Sequence, residues 1–311
     1  MINSSYHIRY LKRQEIDIAG WDRCVTEAPN GLIYGFHYYL DHMTAGQWDA
    51  LVLEDYEAVM PLTWRRKFGI SYLFQPAFTQ QTGVFARRQP DQTLIEAFLA
   101  SSAQYFRFAE IFLNYNNAHP TLQPHTNFIL PLDAPYHVLA ARYKKDLVRN
   151  LKLAARQTDG PALVYTSDIA LDTALAAYRN EYGARTPHVK TQDYQRFKKL
   201  CCYLQDRDQL VLRAVTDSKK NILATALLTR DHARLYLVQS TTLPAGRKTE
   251  ANHFLLDQLI REWADSRLTL DFEGSDLPGV AHFYANFGGS DQPYYFYRHN
   301  KLPWPWKMLK S

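Results

Sequence analysis

At 311 residues the chain exceeds what one hydrophobic core usually holds and suits two domains of ordinary size. Its 46% hydrophobic and 22% charged residues exclude a disordered or low-complexity protein, and no run approaches the roughly 18 apolar residues of a membrane span. The net charge of +5 suits phosphate-bearing partners without requiring them, and three cysteines, two of them adjacent at Cys201 and Cys202, make neither a disulfide framework nor a zinc spacing.

In chain order, a strand is predicted at 6–11 and a helix at 16–27, with an aromatic-rich helix at 33–43. Three strands follow at 48–54, 58–64 and 70–75, joined by tight turns as an antiparallel meander. The polar loop 76–83 lacks cations, and it reads either as a packed loop or as a wall of an acceptor groove between domains. A helix at 92–106 and a strand at 109–115 close the first half. Residues 136–157 form a connecting helix, with Tyr143, Leu147, Leu151 and Ala154 on an apolar stripe. Lys145, Arg149, Lys152 and Arg156 make a basic stripe, which tracks tRNA or lipid phosphates or is simply a solvated face.

A strand at 162–165 and helices at 171–182 and 193–204 come next. A second meander follows at 209–216, 222–228 and 234–239, then a polar loop at 241–250, a helix at 251–266, a strand at 268–272 and a short helix stopped by Gly288-Gly289. The order of the first half recurs about 160 residues on, a repeat at domain scale. The sequence therefore predicts an α/β (α+β) chain of two tandem domains, 1–135 and 160–311, joined by a basic helix at 136–159, each a mostly antiparallel sheet flanked by helices.

Two motifs in the last third carry a resemblance. Pro244, Arg247, Glu250 and Asn252 lie in the register of a P-x-x-R-x-x-G-x-G/A loop, and Ala281, Phe283, Tyr284 and Gly288 resemble an A-x-x-F-Y signature on the next helix. Both resemble the donor half of the GNAT acyltransferases, and the run from Asp271 to Gly288 is similar to the tandem-GNAT FemAB group. The resemblance implies amide formation on an amine acceptor, with acyl-CoA or aminoacyl-tRNA as donor substrate and no tightly bound cofactor. In FemAB proteins the acceptor is a cell-wall precursor and the donor is charged tRNA. It implies that Arg247, Lys248, Glu250, Asn252 and Gln239 hold the donor, that Tyr284 protonates the leaving group, and that Glu273 or Asp271 handles the amine's proton.

The bland readings stand beside these. Tyr284 sits next to Phe283 on a face that must be buried; Asp271 or Glu273 can cap the helix after Leu277, as can Ser275 or Asp276. Glu250 and Asn252 replace the two glycine-type positions, and a glutamate beside a diphosphate is unfavourable unless Arg247 or Lys248 neutralises it. Residues 183–188 are expected at the acceptor wall. No H-E-x-x-H occurs among eleven histidines, so no catalytic metal is expected. The tail, with Trp304 and Trp306 between prolines, docks on the protein or touches a membrane interface, and a cytoplasmic location is expected. Three readings stay open: a FemAB-like acyltransferase, an acyl-CoA-dependent GNAT acting on a small molecule or lipid, and a catalytically silent binding module.

Overall fold

A computed structural model describes residues 6–155, 162–274 and 276–304. Arg156, Ser275 and the last part of the tail, 305–311, lie outside the described residues. The chain divides into two units, the first made of Met1–His125 with Pro293–Ser311 and the second of Thr126–Gln292.

The first unit runs β1 (Ile8–Leu11), α1 (Ile18–Glu27), α2 (His37–Thr44), β2 (Trp48–Leu53), β3 (Ala58–Lys67), β4 (Ile70–Phe74), β5 (Phe85–Ala86), α3 (Gln92–Tyr105), β6 (Phe108–Leu113) and β7 (Gln123–His125). Strands β2, β3 and β4 are the predicted meander, and β4 then lies parallel to β6. Asp91 opens α3 by accepting the Leu94 amide at 2.7 Å, and Ile95, Phe98 and Leu99 bury the helix face against Leu51, Met60 and Leu62. Fully burying each such side chain contributes about 1.5–3 kcal/mol.

The second unit runs β8 (Phe128–Pro131), α4 (Tyr136–Ala140), α5 (Lys145–Ala155), β9 (Val164–Thr166), α6 (Leu171–Tyr182), α7 (Thr191–Gln205), β10 (Leu210–Thr216), β11 (Ile222–Arg230), β12 (Arg234–Thr242), α8 (Pro244–Lys248), α9 (Ala251–Trp263), β13 (Thr269–Asp271), α10 (Pro278–Ala285) and β14 (Ser290–Asp291). Its sheet has the order β14-β8-β13-β12-β11-β10-β9. Leu255, Leu256, Leu259 and Ile260 recur at helical spacing on α9 and pack with Leu235 and Leu237 of β12. The connecting segment is two helices rather than one, and the loop expected at 241–250 continues β12 to Thr242 and then forms α8.

The expected boundaries at 135 and 160 are replaced by two crossings. β8 pairs with β13, so the chain enters the second sheet before the expected connector begins. β15 (Tyr294–Asn300) then returns to the first unit and pairs with β6 and β7, giving the order β1-β2-β3-β4-β6-β15-β7. The fold class stands: two sheets, mixed and mostly antiparallel, each flanked by helices.

Candidate active site

The site grows from the way β12 and β13 part. They run parallel through three residue pairs, ending at Tyr236 opposite Asp271, while β12 continues to Thr242 against β11. Between Leu227 and Thr229 the β11–β12 register shifts by one, so β12 carries an extra residue, a bulge at Leu237-Val238. The segment after Asp271 turns away through Glu273, whose φ of 54° ends the strand geometry. A cavity of about 580 Å³ opens in the resulting notch.

Its floor is Leu237, Val238, Ser240 and Thr242 of β12. Tyr178 and Tyr182 of α6 form one wall, and Phe272, Glu273, Val280, Phe283 and Tyr284 another. Arg247, Glu250, Asn252 and His253 close the end at the start of α9. Residues 183–188, expected at the acceptor wall, do not line this cavity, whereas Tyr178 and Tyr182 of α6 do.

Tyr284 lies in the cavity with its ring stacked on Phe272, centroids 5.0 Å apart. Burial pushes its phenol well above the ordinary tyrosine range, and Tyr182, Glu273 and Tyr178 push the same way. A phenol so placed keeps its proton at neutral pH; it can donate and is a poor base. Burial also pushes Tyr178 up to about 12.

Asp271 and Glu273 do not share a face. Period two requires continuous strand, and the strand ends at Asp271. Asp271 is fully buried, ion-paired to Arg234 at 2.9 Å, and accepts hydrogen bonds from the Asn127 side chain at 3.0 Å and the Glu273 amide at 3.1 Å. Its place is in the turn that aims Glu273, and it does not line the cavity. Neither carboxylate caps α10, which opens with Pro278 after Leu277 without a side-chain cap.

The residues expected to hold the donor divide likewise. Glu250 precedes α9 at a φ of 55°, so the left-handed geometry that suits glycine is kept while the side chain is not. Its carboxylate turns to His253 Nδ1 at 2.7 Å, and His253 Nε2 lies 3.3 Å from the Asn150 amide on α5. Burial lowers the His253 pKa and Glu250 only partly offsets this, so the imidazole is neutral at physiological pH. Ser240 Oγ donates to Asn252 Oδ1 at 3.0 Å. Arg247 reaches the cavity but is paired to Glu181 of α6, and Lys248 is exposed and outside the lining. Gln239 is buried on the opposite face of β12 and does not line the cavity.

Lys145, Arg149 and Lys152 are exposed on α5 beside a groove of about 360 Å³, with Arg149 paired to Asp146 at 3.3 Å. Among the described residues no cluster of three or more His, Cys, Asp or Glu side chains fits a metal, and no helix is long and apolar enough to cross a membrane. Sequence reasoning missed Tyr178, Tyr182 and His253. The only signal for His253 was its position three residues after Glu250, one helical turn on.

Residues 141–284 match the family model described as an acetyltransferase (GNAT) domain. The chain carries a GNAT domain. The match spans α5 to Tyr284 and so includes every residue that lines the notch. No curated protein matches the chain. Among solved structures, FemX is similar over 97% of this chain and 99% of its own, with TM-score 0.62 and 14% identity. The C-terminal domain of a putative lysylphosphatidylglycerol synthetase from Agrobacterium fabrum is similar over 90% of this chain and 92% of its own, at TM-score 0.52 and 12% identity. A GCN5-related N-acetyltransferase from Sphaerobacter thermophilus is similar over 97% of this chain and 98% of its own, at TM-score 0.51 and 12% identity. At these identities the likeness is one of fold.

Proposed function

We propose that this protein is an N-acyltransferase in which an amine attacks an activated acyl group directly, inside the notch of the second unit. The observation that carries the reading is Tyr284, an aromatic-stacked phenol with its pKa pushed up, in the same cavity as Glu273. In the step proposed, the acceptor nitrogen bonds to the acyl carbon and Glu273 accepts the proton that the nitrogen sheds. The bond to the carrier breaks, and the carrier's sulfur or oxygen leaves with a proton from Tyr284. No covalent enzyme intermediate is needed. Among the cysteines, Cys24 and Cys201 are buried, and burial pushes both thiols up.

The donor is the finer question. GNAT proteins hold a donor diphosphate on the first amides of the helix equivalent to α9, where helix dipole and free N–H groups favour an anion. Here Glu250 already supplies a carboxylate at that end, and Arg247 is engaged by Glu181. This favours a carrier that sets no diphosphate there, with aminoacyl-tRNA as the candidate suggested by the FemAB-like fold and a cell-wall precursor amine as acceptor. Acyl-CoA is the second reading, favoured by the GNAT domain match itself.

Replacing Tyr284 with Phe tests the reading, because it removes the proton and keeps the ring. Turnover is expected to fall about 10²-fold or more with donor binding retained. Unchanged turnover would remove Tyr284 from the chemistry, and a protein with ligand binding but no turnover in the wild type would be a binding module.

A further inference from the structure

The first unit has an end that nothing in the acyltransfer reading uses. β3 and β4 are joined by a two-residue turn, Phe68-Gly69, with Lys67 paired to Ile70 and φ values of 50° and 79°. Such turns favour Asn or Gly at both positions, because both backbones are left-handed. A phenylalanine there is conformationally costly, and Phe68 is nonetheless 70% exposed. Burial does not explain it.

Topology brings more of the same chemistry to that end. β4 and β6 are parallel, so the start of β6 lies at the end of the sheet where β4 starts. β15 runs antiparallel to β6, with Asn300 opposite Phe108, so the chain leaving β15 emerges there too. The Lys301 amide donates to the Arg107 carbonyl at 2.7 Å and ties the two segments together. Tyr105, at the end of α3, is 50% exposed, and Trp304, just after β15, is 79% exposed. Arg66, Lys67, Arg107 and Lys301 are all exposed. The three stretches 64–71, 101–109 and 299–304 contain no Asp or Glu.

We propose that this end of the first unit is a docking surface for an anionic lipid membrane. Phe68 and Trp304, exposed, and Tyr105, half-exposed with its ring stacked on Tyr10, share this end with four exposed cations, and the nearest carboxylate in sequence, Glu110, is paired with Arg298 at 3.5 Å. Tryptophan and tyrosine settle at the water–hydrocarbon interface, a turn-borne phenylalanine reaches past it, and lysine and arginine pair with anionic headgroups. Lys67 Nζ sits 5.3 Å from the Phe68 ring centroid, so the charge and the apolar tip are presented together. A duplex polyanion such as an RNA helix satisfies the charge, but its bases are already stacked and leave nothing for Phe68 held outward on a strained turn. The surface would hold the protein against a membrane.

Flotation of the full chain with vesicles tests this, using phosphatidylcholine alone and equimolar phosphatidylcholine and phosphatidylglycerol. The wild type is expected to float with the anionic vesicles and not with the neutral ones. Arg66→Gln with Lys67→Gln should weaken this about 25-fold, at about fivefold per charge. Phe68→Ser with Trp304→Ser should weaken it about tenfold or more, since an aromatic that leaves the membrane loses its apolar burial. All four sites are exposed, and an unchanged melting temperature confirms that the variants fold. Failure to float with anionic vesicles, equal flotation with neutral ones, or indifference to the aromatic pair would overturn the proposal. Tight binding of polyuridylate lost only with the charge pair would overturn it in favour of a nucleic-acid surface.

Discussion

The two halves of this chain build the same feature and treat it in opposite ways. In each, the last strand of a meander runs parallel to the strand that follows a helix, β4 with β6 and β12 with β13, and in each the pair diverges after two or three residues. In the second unit the divergence leaves a cavity of about 580 Å³. In the first, the chain fills its own notch. Gln75 Oε1 accepts the Phe112 amide at 3.0 Å, the Thr82 amide donates to the Phe112 carbonyl at 2.8 Å, and the Asn114 amide donates to the Thr82 carbonyl at 2.9 Å. Gln81 Oε1 takes the Tyr115 amide at 3.1 Å. The loop 76–83 is therefore a polar loop packed on its own sheet. A duplicated fold keeps its sheet because the sheet buries apolar surface. It keeps a site only where the strand edge is left for a ligand to satisfy.

The comparison can be broken from either side. Gly83 lets the first unit's plug pass close to β6: its φ is 89°, and an added Cβ would lie 2.3 Å from Asn117 Oδ1 and 3.0 Å from Leu113 Cα. Gly83→Ala is expected to destabilise the protein by roughly 1–3 kcal/mol from backbone strain, with the clash against Asn117 adding to it. Chemical denaturation measures this, and donor binding by the folded fraction should be unaltered. If binding fell in step with the substitution, the first unit would have a part in the site after all.

A smaller effect sharpens the donor question. Glu250→Gly removes a carboxylate from the start of α9 and places a residue without Cβ strain at a φ of 55°. CoA affinity by calorimetry should rise about tenfold, on the scale of one charge at a helix end. No gain would mean that Glu250 is only a pairing partner for His253 and does not select the donor.

Much of the architecture was legible because each meander strand and each amphipathic helix carries its own periodicity. α6, α9 and the parallel strands came out close to their predicted spans. The crossings did not. β8 is four residues long and finds its partner at Thr269–Asp271, far along the chain, and nothing local says which sheet it joins. β15 opens with four aromatic residues and ends in Arg298, His299 and Asn300, and its place in the first sheet is set by β6 and β7.

In the site, Tyr284, Glu273, Arg247, Glu250 and Asn252 do meet in one cavity. Asp271 and Gln239 do not, the first because the strand stops at it and the second because of its face on β12. Tyr178 and Tyr182 read as ordinary aromatics of a helix face, and only the divergence of two strands elsewhere turns that face into a wall.

The most direct test of the claim that the second unit's notch holds the donor is a thermal-shift comparison of wild type with Ser240→Trp, whose ring would fill the cavity floor. Acetyl-CoA, a long-chain acyl-CoA, charged tRNA and uncharged tRNA form the panel, since a ligand that binds only the folded state raises the melting temperature by mass action. One donor class is predicted to raise the wild-type melting temperature and to leave the variant unmoved. Equal shifts in both proteins, or no shift with any donor, would contradict the account.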